Sequence, residues 1–193
     1  MKQITKHLDV GLLEMLNNSV GAQWLRFGAL DLLLDFDIAP ESAFFETSLG
    51  CFELLVSDEV IDLFDEPESF AVLHLVQHSQ IREGLGRANT SELWSGSTIG
   101  NIYLLISEIK EICDGRLVLD YATHDGLVFE LSKGWIGLTK EGLFEIDVHV
   151  SAERTLGALD LYKPELDWIS GDSYQFQVHS ELISIADWLA RFR

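Results

Sequence analysis

A chain of 193 residues with 32 acidic and 13 basic side chains, formal net charge −19, has no cationic stripe for a phosphate backbone, so direct nucleic-acid binding is not expected. Its 47% hydrophobic content is enough to bury a core, and no window approaches the apolar length of a membrane span. The opening Met1 to His7 lacks the apolar run of a secretory signal, and Cys51 and Cys113 lie far apart without a CxxC or Cys/His cluster, so a cytoplasmic protein with two reduced thiols is expected.

In chain order, residues 5–17 predict a helix, because Leu8, Leu12, Met15 and Leu16 recur at helical spacing and Thr5 can cap the start. From 32 to 38 the period changes to two, with Leu32, Leu34, Phe36 and Ile38 facing one way until Pro40 ends the strand. A second strand, 50–56, turns Phe52, Leu54 and Val56 inward and Cys51, Glu53 and Leu55 outward. Ser57 then opens a predicted short helix, with Asp58 and Glu59 in the first turn, that Pro67 finishes by restricting Glu66 to extended geometry. Residues 70–78 read as a buried strand, and the glycine- and serine-rich 83–100 as a long loop holding a weak lobe boundary within a single domain, 1–193.

Residues 101–113 predict a central helix, since Ile102, Leu105, Ile106, Ile109 and Cys113 share a helical face and Asp114-Gly115 supplies a stop; their β-branched content keeps a strand reading open. An antiparallel meander follows over 116–150, with turns at 124–126, 132–134 and 140–142 and Phe144, Ile146 and Val148 buried. Ser180 can cap a C-terminal helix carrying Leu182, Ile185, Ala186 and Leu189. The expected fold class is therefore α+β, an antiparallel sheet packed by N-terminal, central and C-terminal helices.

Sites for chemistry are sparse. His74 and His78 stand four apart, but on a strand that spacing is about 13 Å and cannot chelate one ion. His124-Asp125 reads as a turn and Asp147 with His149 as a wet strand face, either of which could hold a divalent ion weakly, though each is also a common surface pairing. The stretch 96–100 has glycines but not the nucleophile-elbow spacing, 84–86 lacks the rest of a phosphate loop, and acids around Cys51 raise its thiol pKa, the wrong direction for a nucleophile. No catalytic residue, metal ligand or cofactor is expected.

Charge placement is more informative. From 27 to 81 the chain has no Lys or Arg and 12 carboxylates, interleaved with apolar residues as in a folded segment rather than a solvated tail. A protein held soluble by net charge alone is the plain alternative. The predicted partner-binding set is Asp35, Asp37, Glu53, Asp58, Glu59, Asp62, Asp65, Glu66 and Glu68, with Trp94 as an aromatic anchor from the loop. These imply a non-enzymatic acidic protein that captures a basic protein, most concretely an immunity- or antitoxin-type inhibitor of a toxin such as a nuclease. The alternatives are a small enzyme or ligand-binding domain using the 83–100 loop, or a structural subunit of a larger assembly. Repulsion among the clustered acids also predicts that mild acid stabilises the fold.

Overall fold

A computed structural model describes residues 1–29, 42–63, 66–78, 89–140, 142, 147–161 and 174–191; the side chains at 29, 61–63, 66–68, 89–90 and 174 lie outside that description. Among the described residues there are eleven strands, two α-helices and one 3-10 turn, so the fold is mostly antiparallel β rather than α+β. The elements are β1 (Lys2–Lys6), α1 (Val10–Asn17), β2 (Gln23–Ala29), β3 (Ser42–Thr47), β4 (Gly50–Leu63), β5 (Glu66–His78), β6 (Asn89–Ser91), β7 (Ser97–Cys113), β8 (Arg116–Leu131), β9 (Gly134–Lys140), β10 (Val148–Glu153), a 3-10 turn (Leu156–Ala158), β11 (Tyr174–Ser184) and α2 (Ile185–Ala190). The sheet runs β10-β9-β8-β7-β2-β3-β4-β5, with β1 parallel to β8, β11 antiparallel to β7 and β6 antiparallel to β2.

Two expected helices are replaced by strands and two are trimmed. The central helix over 101–113 lies inside β7, which pairs with β8 from Ile99↔Leu131 to Cys113↔Arg116 and with β11 on its other edge. Both faces of β7 are covered along Leu104 to Ser107, and the run Ile102 to Ile106, apolar on both faces, matches period 3.6 as well as period two. The β-branched side chains and the two flanking ladders decide for strand. The helix expected from Ser57 to Pro67 is instead the end of a hairpin: β4 and β5 pair without a register break from Cys51↔His78 to Leu63↔Glu66. Pro67 ends no helix; it sits on β5, the last strand in the sheet order, where a missing N–H is tolerated.

The terminal helices are shorter than expected. Thr5 belongs to β1, and Asp9, a stronger cap, accepts the Leu12 N–H at 2.9 Å to start α1. At the other end Ser180 lies in β11, while Ser184 caps α2 by accepting the Asp187 N–H at 3.1 Å. The meander is present as β8-β9-β10, but its first two runs are one strand, since 124–126 forms no turn. Val148 is buried as expected; Phe144 and Ile146, like the strand 32–38, lie outside the described residues. In the 83–100 stretch, Asn89–Ser91 is a strand on β2 and Ser97 opens β7.

The main core sits inside the curled sheet. Trp24 of β2 lies flat against Phe45 of β3 (6.0 Å, 7°), Phe45 against Phe52 of β4 (5.4 Å), and Phe129 of β8 closes on both Trp24 and Phe45. Phe52, Leu54 and Val56 point into it, as the alternation predicts. A smaller buried cluster joins Phe70 of β5 to Ile109, Leu119 and Tyr121, with the Phe70 and Tyr121 rings 5.2 Å apart. The last strand of the order thus folds back over β8.

Candidate functional site

The acidic run maps onto three consecutive strands, β3, β4 and β5, so their shared outer side carries much of it. On that side the acids are less free than charge counting implies. Glu46 meets Arg26 at 2.7 Å. Glu53 is half-buried, 2.7 Å from His78 Nε2, and accepts the Ser42 hydroxyl at 3.1 Å. Glu59 is paired with Lys6 and lies 3.9 Å from His74, whose Nε2 is 2.8 Å from the Ser57 hydroxyl. Cross-strand geometry makes this ladder: paired residues of β4 and β5 share a face, so Glu53, Ser57 and Glu59 fall in one row with His78 and His74.

Asp58 is exposed on the other face of β4, the face of Phe52, Leu54 and Val56, together with Val60, which is 69% exposed. The backbones of Asp62, Glu66 and Glu68 lie in the distal hairpin, opposite Pro67, Leu63 and Ile61. Asp35, Asp37 and Asp65 lie outside the described residues. Trp94 is not gathered with the acids. It occupies a turn between β6 and β7 at φ 58°, an uncommon backbone for a bulky side chain, and packs half-buried on the edge of the main core. Its ring lies over Gly134, where a Cβ would stand 2.5 Å from Trp94 Cζ2.

A second polar group, missed by sequence reasoning, is buried in the sheet. At β8 the ladder pairs Leu105 with Gly126 and Ile106 with His124, leaving Asp125 as the extra residue of a bulge. The bulge needs Gly126, because a Cβ there would lie 2.6 Å from the Leu138 carbonyl oxygen. Asp125 Oδ1 stands 2.8 Å from Lys140 Nζ of β9, with both side chains fully buried. The ammonium also donates to the Ala71 carbonyl of β5 at 3.4 Å. The carboxylate is held by charge more than by aligned hydrogen bonds, and Oδ2 accepts none from a described residue. Along β8 the pair stands between Tyr121 of the smaller cluster and Leu127 of the main core. Burial pushes the Tyr121 hydroxyl up to about 12, with neighbouring Asp125 and Glu59 adding to the shift, so it stays protonated.

His124, read as part of a surface turn, is buried too. Its ring stacks on His7 (4.4 Å, 15°), meets Trp188 of α2 edge-on (4.8 Å, 74°), and its Nδ1 accepts the Leu8 N–H at 3.1 Å. The sequence signal for this region is a glycine inside a strand pattern, which marks a bulge as readily as a turn. Cys51, expected outward, is buried, and burial followed by Glu46 raises its thiol pKa, so it remains a thiol. Among the described residues no group of three or more His, Cys, Asp or Glu is arranged to hold a metal ion. None of their helices is long and apolar enough to cross a membrane. Compared with known proteins, the chain matches no family model, no curated protein and no solved structure.

Proposed function

We propose that the protein is a non-catalytic binding protein whose acidic distal β4–β5 hairpin captures a basic protein, acting as an immunity- or antitoxin-type inhibitor of a toxin such as a nuclease. The observation that carries this reading is the base-free run from 27 to 81, with 12 acids, much of it on three adjacent strands. Internal pairing of Glu46, Glu53 and Glu59 on the outer side moves the weight of recognition to the distal β4–β5 hairpin, where Asp58 stands on the opposite face of β4 beyond the core residues Phe52, Leu54 and Val56. There exposed Val60 supplies an apolar contact beside the charge, the mixture that interface centres favour. A patch of this sign steers a basic partner and raises association toward about 10⁸ M⁻¹s⁻¹ at low salt. A reducing, cytoplasmic compartment suits the two free thiols.

The test compares the wild-type chain with an Asp58→Lys, Asp62→Lys, Asp65→Lys variant as baits in pull-downs at low and high salt. Glu53 and Glu59 are left alone because their internal bonds make them poor probes of recognition. The expected result is a basic protein held by the wild-type bait at low salt and lost by the variant, with association slowed several-fold and most of its salt dependence gone. A partner bound equally by both baits would remove the acidic hairpin as the recognition surface.

A further inference from the structure

The junction of β1, α1, β8 and α2 is built around two stacked imidazoles, and nothing in the proposed binding role uses them. We propose that the His7–His124 stack is a proton-operated clasp: mild acid frees α1 and α2 from β8 while the sheet core stays folded. The geometry makes His124 the sensitive member. Because Nδ1 accepts the Leu8 N–H, the ring carries its hydrogen on Nε2, which has no partner among the described residues. A second proton must go to Nδ1. It breaks the bond that seats the start of α1 and places a cation against the face of His7.

The charged side chains on the surrounding elements are engaged or turned away. Lys6 of β1 is paired with Glu59, and Asp9 caps α1. On β8 itself Asp125 is turned to Lys140 of β9, and Asp187 of α2 is bonded to the Ser184 hydroxyl at 2.6 Å. Arg191, following α2, reaches Glu181 of β11, while Glu14 of α1 and Glu108 of β7 are exposed. Burial first, then His7, hold His124 down to about 3, and burial lowers His7 as well. A depressed histidine means that the opened state binds more protons between about pH 3 and 6.5, so closure weakens as pH falls through that window.

Amide hydrogen exchange at pH 7 and pH 5, corrected for intrinsic rates, reads the clasp directly. Linkage to an exposed histidine predicts about a 30-fold loss of protection at pH 5 in residues 8–17 and 185–190, with 127–131 little changed. His124→Phe keeps a ring in the stack without the proton site, and His124→Asn keeps an acceptor for the Leu8 N–H; either should abolish most of the pH response. The wild-type contrast decides even if neither variant folds. Equal losses in helices and sheet overturn the clasp, as does a selective loss that survives in either variant.

Discussion

Replacing Lys140 with Met should destabilise the protein by about 3–5 kcal/mol, and replacing Asp125 with Leu should do much the same. Each single change leaves one ionised group where neither side chain has any exposed area, and the desolvation of that group is then uncompensated. With a normal reserve of about 5–15 kcal/mol, either variant loses a large share of its stability, a melting-point drop on the order of 10 °C. The double variant Asp125→Leu, Lys140→Met removes both charges and should recover to within about 2 kcal/mol of wild type, because a buried ion pair contributes little over an apolar pair of similar volume. Urea denaturation of the four proteins gives the coupling energy. Singles that each lose under about 1 kcal/mol would mean that water reaches the pair.

The histidine clasp and the acidic hairpin pull stability in opposite directions as pH falls. Carboxylate repulsion favours acid, which is the sequence expectation. His124 favours neutral pH, and by pH 5 its linkage term alone reaches about 2 kcal/mol. Since Glu46, Glu53 and Glu59 already have cationic or histidine neighbours, little repulsion is left among the described acids to offset it. The net expectation is destabilisation between pH 6.5 and 5.

What could be read in advance depended on whether an element has one buried face or two. The 50–56 run alternates cleanly, and its inward residues Phe52, Leu54 and Val56 are buried in the core, although Cys51 on the other face is buried as well. The caps expected for the terminal helices, Thr5 and Ser180, lie in strands instead, and the actual caps are Asp9 and Ser184, four residues further on in each case. The middle of the 101–113 run, Ile102 to Ile106, is apolar on both sides and has no period that separates helix from strand until its neighbours are known. The distal hairpin failed for a related reason: acids in a predicted first turn looked favourable locally, but the thirteen-pair ladder outweighs a local helix preference of a few tenths of a kcal/mol per residue. For the candidate site, the acid run was legible as charge, whereas its internal bonding was not. Glu53–His78 and Glu59–Lys6 join residues 25 and 53 positions apart. The same holds for Asp125 and Lys140, which looked like two turn residues because each sits beside a glycine or a polar neighbour.

Gly126→Ala should cost about 3 kcal/mol, far more than one added methyl in an ordinary strand. The new Cβ would lie 2.6 Å from the Leu138 carbonyl oxygen and 2.8 Å from Thr139 Cα, so the obstruction is the backbone of β9 rather than a side chain that can swing aside. Relief requires the two strands to part at Gly126↔Thr139, next to the residue that carries the buried ammonium. Moving Lys140 even slightly weakens its charge contact with Asp125, and overpacking strain then adds to the loss described for the single charge variants. Gly137→Ala is the internal control: its Cβ meets Leu161 Cδ2 at 2.7 Å, the end of a flexible side chain, and should cost under about 1.5 kcal/mol. Thermal melts of the two variants separate the cases. Equal losses would show that β8 and β9 can spread without penalty at the bulge, and the glycine would then owe its place to something other than the close approach that lets Asp125 turn inward to Lys140.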